Sequence, residues 1–219
     1  MTPNQEIIVT RVVPQLPCSG ERVLLRELDH RIINEFACAI SAVSLAAART
    51  KNDEVKGALS DVAQLLHHYA DVHRALQMPE YDTLVDAATY LRQLCLSISR
   101  SKLDYGEIRL VLMAEPLRLE ADKCWRLGMI MHELINNAAE HAFATGNGSI
   151  RVELASAGAV VECKVQDNGS AAASAQPGRG LKIVSELTKG LGGRFEQSFG
   201  TGGSTFVVSF PHTRTCTVS

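Results

Sequence analysis

The sequence predicts an α+β fold: an N-terminal antiparallel helical hairpin followed by an α/β two-layer sandwich. Two long apolar stripes of helical period, separated by one short polar break, occupy residues 19–78. After Pro79 the character changes, and period-2 strand patterns alternate with helical ones through to Phe210. A chain of 219 residues with 46% hydrophobic content is long enough for one sizeable core or two small ones.

Residues 1–18 contain Pro3, Pro14 and Pro17 without a sustained period and read as a flexible leader. From Ser19, a good N-cap, apolar residues recur at Val23, Leu24, Leu28, Ile32, Phe36, Ala39, Val43 and Ala46. Thr50-Lys51-Asn52-Asp53 breaks the pattern. Asn52 or Asp53 can cap a second helix with Val55, Leu59, Val62, Leu66, Tyr69, Val72 and Leu76 on its stripe, ending before Pro79. Helices joined by so short a turn lie antiparallel, and each leaves an outer rim half covered. Pairing of two copies into a dimeric four-helix bundle is the expected cover, and cover by the second domain is the alternative.

The second domain is expected over residues 82–212, with 213–219 as a tail. Asp82 or Thr83 should open a third helix carrying Leu84, Ala87, Leu91, Leu94 and Ile98. Ile108–Met113 reads as a strand, Ala121–Phe143 as a long helix, and Ser149–Leu154 with Val160–Val165 as a strand pair. Gly180–Leu191 reads as a helix, and Arg194–Phe199 with Ser204–Phe210 as a closing hairpin.

The formal net charge of −2, from 22 basic and 24 acidic residues, gives no broad field for nucleic acid or an anionic membrane. No uninterrupted apolar run approaches the ~20 residues of a membrane span, and Met1–Gly20 lacks the layout of a signal peptide, so a cytoplasmic location is expected. The six cysteines are scattered singly, with neither metal nor disulfide spacing, and read as small hydrophobes.

Four short motifs can carry chemistry. In His132-Glu133-Leu134-Ile135-Asn136-Asn137-Ala138-Ala139-Glu140-His141, Glu133 and Asn137 stand one helical turn apart and offer two oxygen groups to one point, as a hard cation such as Mg²⁺ requires. A solvated polar face would give the same spacing. Strand 161–167 delivers Asp167 at its end, and Gly169 lets a flat ligand approach the backbone; Asp167 could accept the exocyclic amine of adenine, although Asp-Asn-Gly is also a common hairpin turn. Gly178-Arg179-Gly180-Leu181 feeds a helix whose N-terminal amides could face a phosphate or simply be capped by glycine. Gly200-Thr201-Gly202-Gly203 is a hairpin loop or a glycine edge that clears a nucleotide.

In this order, over Ala121 to Pro211, the motifs resemble the N, G1, G2 and G3 boxes of the Bergerat-fold ATPases, which include histidine kinases, gyrase and Hsp90-type chaperones. The resemblance implies a Bergerat-type sandwich that binds ATP and Mg²⁺. Glu133 and Asn137 would handle the metal, with Glu133 also catalytic. Asp167, with Gly169 beside it, would take the adenine amine, and Gly178, Gly180, Leu181, Gly202 and Gly203 would line the phosphates.

The hairpin points to one branch of that superfamily. Glu27-Leu28-Asp29-His30-Arg31-Ile32-Ile33-Asn34 resembles the phosphoacceptor box of the histidine kinase subfamily with the signature His-Arg-x-x-Asn, and Val72-His73-Arg74-Ala75-Leu76 resembles the end of that subfamily's second helix. A phosphoacceptor attacks with a neutral imidazole nitrogen and so needs an exposed helix face and a carboxylate for its other proton. Asp29 is within reach of His30. Asn34, one turn beyond, is placed to orient a water against a response regulator's acyl phosphate.

The pattern departs from the family at Ala171, fifth in Asp-x-Gly-x-Gly, in the short alanine-rich lid Ser170–Pro177, at Glu140, where the N box often has lysine, and at Arg31, where other subfamilies place an acidic partner. The expected function is a sensorless histidine kinase that autophosphorylates His30 and passes the phosphoryl group to a response regulator receiver domain. A separate sensory or regulatory protein would supply its signal, because no sensory domain fits before Ser19. An ATP-independent histidine phosphotransferase is the alternative, and an anti-sigma serine kinase or pure binding module the third reading.

Overall fold

The structure, a computed structural model, describes residues 19–77, 84–143, 147–169 and 179–212. The expected leader, the domain boundary near Met78–Tyr81, the lid and the tail lie outside these residues. Helix α1 (Ser19–Arg49) turns at Thr50–Asn52 into α2 (Asp53–Ala75). Asn52 is the cap, its Oδ1 accepting the N–H of Glu54 (2.9 Å) and Val55 (3.2 Å). Asp53 and Glu54 in the first turn, with His73 and Arg74 in the last, complement the helix dipole.

The helices run antiparallel, as the contact of Phe36 with His73 (ring centroids 5.3 Å apart) and the shared groove of Ser44 and Ala48 with Lys56 and Ser60 require. The face of α1 turned to α2 carries Ile32, Phe36, Ile40, Val43 and Ala47, whereas Val23, Leu24, Leu28, Ala39 and Ala46 are exposed. The expected stripe thus splits into two faces. With 31 residues against 23, α1 overshoots α2 by about 12 Å. Among the described residues, Val23–Arg49 is also long and apolar enough to cross a membrane by length and composition, although Asn34 and Glu35 interrupt its apolar run.

The remaining elements are β1 (Leu84–Asp86), α3 (Ala87–Ile98), a π-helical turn (Ser99–Leu103), a 3-10 turn (Asp104–Gly106), β2 (Ile108–Ala114), β3 (Arg118–Glu120), α4 (Ala121–His141), β4 (Gly148–Ala157), β5 (Val160–Asp167), α5 (Arg179–Gly190), β6 (Arg194–Gly200) and β7 (Gly203–Pro211). The third helix begins later than the sequence suggested. Leu84–Asp86 pairs antiparallel with β3, and Asp86 starts the helix by accepting the Thr89 N–H (3.2 Å) and hydroxyl (2.9 Å). At three residues, β3 is too short to show a period.

Strands β2–β4–β5–β7–β6 form one sheet, parallel only between β2 and β4. That parallel step needs a crossover, and α4 supplies it. Alternate strand residues, Ile150, Val152 and Leu154 on β4 and Phe206, Val208 and Phe210 on β7, meet Leu91, Leu94, Leu127, Ile130, Leu134 and Val184 in one core. Cys95, Cys124 and Cys163 belong to it as small hydrophobes, and burial pushes each thiol up to about 12.

The hairpin and the sandwich touch along α2. Trp125 Nε1–H donates to the Leu76 carbonyl (2.8 Å), and His68 Nδ1–H to that of Arg100 (3.1 Å). Val72 is buried in the core of the sandwich, with Ala75 and Leu76 packed against it, so the second domain covers part of the rim left open by the hairpin.

Candidate nucleotide and phosphoacceptor site

Leu134, Ile135 and Ala138 fix α4 against the core and turn Glu133 and Asn137, both half-buried, toward the start of α5. Gly180 sits on that face. A Cβ at this position would lie 2.8 Å from Glu133 Oε2 and 3.2 Å from Asn137 Nδ2, so glycine is what lets α5 approach. Asn137 Nδ2 is buried and has no hydrogen-bond partner among the described residues. An amide donor in that state is costly unless a ligand meets it. Burial and the charge of Glu140 push the Glu133 carboxyl up, and Lys102 opposes them.

At the end of β5, Asp167 is 3% exposed. Its Oδ1 accepts the N–H of Gly169 (3.0 Å) and of Ser204 (3.2 Å), which ties the Asp-x-Gly turn to β7. Gly203 has φ +118° with its α-carbon pressed on the Asp167 carbonyl, so no side chain fits. Gly169 is pressed likewise on the Ala142 carbonyl just past α4, and Asn168 Oδ1 accepts the Ser149 N–H (2.7 Å). The turn bearing Asp167 is thereby locked to the helix bearing Asn137. Gly202 borders open space, and Leu181 packs on the core. Gly178 and Ala171 lie outside the described residues.

Glu140 is exposed and bound by Lys102 Nζ at 2.6 Å. Lys102 also donates to Asn136 Oδ1 (3.4 Å), which orients the Asn136 amide so that its Nδ2 donates to His132 Nε2 (3.0 Å). A ring nitrogen that accepts must be unprotonated, in accord with burial pushing His132 down to about 4, aided by His73 and Lys102. His73, Lys102 and His132 line a cavity of about 160 Å³ between α2 and α4. His132 and Lys102 were not singled out in the sequence; no motif marks a lysine whose partner lies 38 positions away.

His30 is exposed on α1, with Asn34 exposed one turn further and Asp29 half-buried. Arg31 Nε pairs with Glu27 Oε1 at 3.0 Å, so the arginine that replaces an acidic neighbour is occupied one turn back. Phe36, about 9 Å along α1 from His30, touches His73, which shares a cavity with His132, the residue before Glu133.

The family model described as histidine kinase matches residues 27–102, and that described as histidine kinase-like ATPase domain matches residues 100–203. The chain belongs to the histidine kinase family. The first match encloses His30 and the second every described residue of the candidate nucleotide face. The sensor histidine kinase PdtaS of Mycobacterium tuberculosis is 28% identical over 152 residues, which are 66% of this chain and 29% of PdtaS. Blue-light-activated histidine kinase 2 of Erythrobacter litoralis is 23% identical over 200 residues, 85% of this chain and 56% of that protein. This histidine kinase chain therefore spans from under a third to just over half the length of these relatives. In fold it is similar to the histidine kinase domain of the Erythrobacter litoralis EL346 blue-light activated histidine kinase, with a TM-score of 0.59 at 18% identity, covering 81% of this chain and 95% of that one. The catalytic domain of histidine kinase ThkA gives a TM-score of 0.51 at 22% identity, covering 61% of this chain and 98% of ThkA's.

Proposed function

We propose that this chain is an ATP-dependent protein-histidine kinase that phosphorylates its own His30 and passes the phosphoryl group to an aspartate of a response regulator receiver domain. The observation that carries the reading is the buried amide of Asn137, unpartnered among the described residues, beside Glu133 and under the Gly180 turn. A phosphate-bearing ligand supplies the acceptors that amide lacks.

In this reading Asp167 commits Oδ1 to backbone amides and offers Oδ2 to the adenine amine. The residues fit Mg²⁺: the Glu133 carboxylate and the Asn137 side-chain oxygen are hard oxygen donors one turn apart, and magnesium takes one or two such ligands and keeps phosphates and water for the rest. When bound, the ion would neutralise charge on the phosphates. Gly178, Gly180 and Gly202–Gly203 keep side chains out of the phosphate path. A neutral His30 nitrogen attacks the γ-phosphorus, the bond to the bridging oxygen breaks, and ADP leaves with that oxygen. Asp29 holds the proton on the other ring nitrogen, Glu133 polarises the reacting groups, and Asn34 orients the water for receiver dephosphorylation.

Residues 19–78 act as the phosphoacceptor hairpin and 82–212 as the ATP-binding domain. Exposed Val23, Leu24, Leu28, Val55 and Val62 support a homodimer built on the hairpin. The charges Arg26, Glu27, Asp29 and Arg31 interleaved with the apolar residues of α1, and its packing along α2, support a cytoplasmic bundle. A separate sensory protein or further chain supplies the signal. Titration calorimetry with ATP and Mg²⁺ tests the reading: micromolar binding that Asn137→Ala abolishes is expected, and a wild-type chain that gives no heat with ATP or ADP overturns it in favour of a relay that only accepts phosphate from receivers.

A further inference from the structure

Glu133, Asn137 and Glu140 occupy positions i, i+4 and i+7 of α4 and therefore share one helix face. In the nucleotide-binding reading this face and Asp167 border the ligand, and Glu133, Glu140 and Asp167 each bring a carboxylate to that border. A polyphosphate carries negative charge of its own, and an uncompensated carboxylate on this face would oppose its binding.

The compensation comes from a different element. Chain direction changes after α3 in the π-helical turn Ser99–Leu103, pinned by buried Leu103 and Ser101, and this turn aims Lys102 across at α4. Its ammonium lies 2.6 Å from Glu140 Oε1 and 3.4 Å from Asn136 Oδ1. Glu133 stands two turns before Glu140 on the same face of α4, so the pair with Lys102 lies at the end of the face that carries Glu133 and Asn137. As an ion pair with Glu140 half exposed, the contact adds little to the stability of the fold.

We infer that Lys102 is a positioning residue for the nucleotide: it holds the Glu140 carboxylate in a neutral pair and so sets the affinity of the cleft for the phosphate chain. The inference rests on the nucleotide-binding reading and extends it to a residue outside the four boxes. Its signature is dependence on ligand charge. Neutralising or reversing Lys102 weakens ATP most, ADP less and AMP least, whereas a residue that merely supports the fold would weaken all three alike.

The experiment titrates the full chain with ATP, ADP and AMP in the presence of Mg²⁺. Lys102→Glu is expected to lower ATP affinity at least tenfold and AMP affinity less than twofold, and the double variant Lys102→Glu/Glu140→Lys to return ATP affinity to within threefold of wild type. Should Lys102→Glu fold poorly, the neutral double variant Lys102→Met/Glu140→Gln serves, with wild-type ATP affinity expected where Lys102→Met alone loses severalfold. Equal losses for the three nucleotides, unchanged ATP binding in Lys102→Glu, or failure of both double variants to restore binding overturns the inference. A wild-type chain that binds none of the nucleotides overturns instead the reading on which it rests.

Discussion

The sandwich and the hairpin use apolar residues in opposite ways. In the sandwich Leu91, Leu94, Leu127 and Ile130 are 0% exposed, while in the hairpin Leu24 is 65% and Val62 46% exposed. The sandwich fills its core almost entirely from its own elements, Val72 of α2 being the hairpin's buried share. The hairpin buries one face of each helix and presents a second, and its partial cover at Val72 comes from the sandwich itself. A filled core in one half and an open face in the other is the division expected when one half holds a ligand and the other must meet further protein surfaces.

The largest effect should separate the two halves directly. Leu127→Ala removes a fully buried side chain and should destabilise the protein by about 3 kcal/mol in urea unfolding. Leu24→Ser, at an exposed position, should change monomer stability by under about 0.5 kcal/mol and lower self-association in sedimentation. Equal stability losses at the two positions would break the contrast.

Asp167→Ala leaves the amides of Gly169 and Ser204 without their acceptor and should cost about 2 kcal/mol together with nucleotide binding. Retained ATP affinity in this variant would remove Asp167 from the site.

Acid should act at the junction of the halves. His132 is held neutral in the folded chain, pushed down to about 4 from the ordinary value near 6.5. The unfolded chain therefore takes up the proton first as pH falls below about 6.5, and stability is lost progressively toward pH 4. Between pH 7.5 and 5 the loss from this group should be about 2 kcal/mol, and His132→Gln should flatten that slope. A weaker effect at the same junction belongs to Trp125→Phe, which forfeits one hydrogen bond to Leu76 and should cost about 1 kcal/mol. Trp125 is the only tryptophan of the chain, so its fluorescence in the parent reports the same junction opening.

Most of the fold was legible because its elements are long and periodic: α1, α2, α4 and the five-stranded sheet follow from spacing alone. The start of α3 was not, since Asp82, Thr83 and Asp86 are equally good caps by type and only the pairing of Leu84 with Glu120 decides among them. The membrane-length apolar content of α1 was not legible either, because Asn34 and Glu35 interrupt its apolar run. In the candidate site, Glu133, Asn137 and Asp167 draw attention in the sequence because each sits within a local motif. Lys102 was not, since its meaning depends on a tertiary contact with Glu140, and neither was the pinching of Gly203 against Asp167, which a hairpin loop alone does not reveal.

The most direct measurement incubates the chain with ATP labelled at the γ-phosphate and Mg²⁺, then follows the label through acid and base and into His30→Ala. Label that is acid-labile, base-stable and absent from His30→Ala is the predicted result. Label that survives acid, or that persists at full level in His30→Ala, would contradict it.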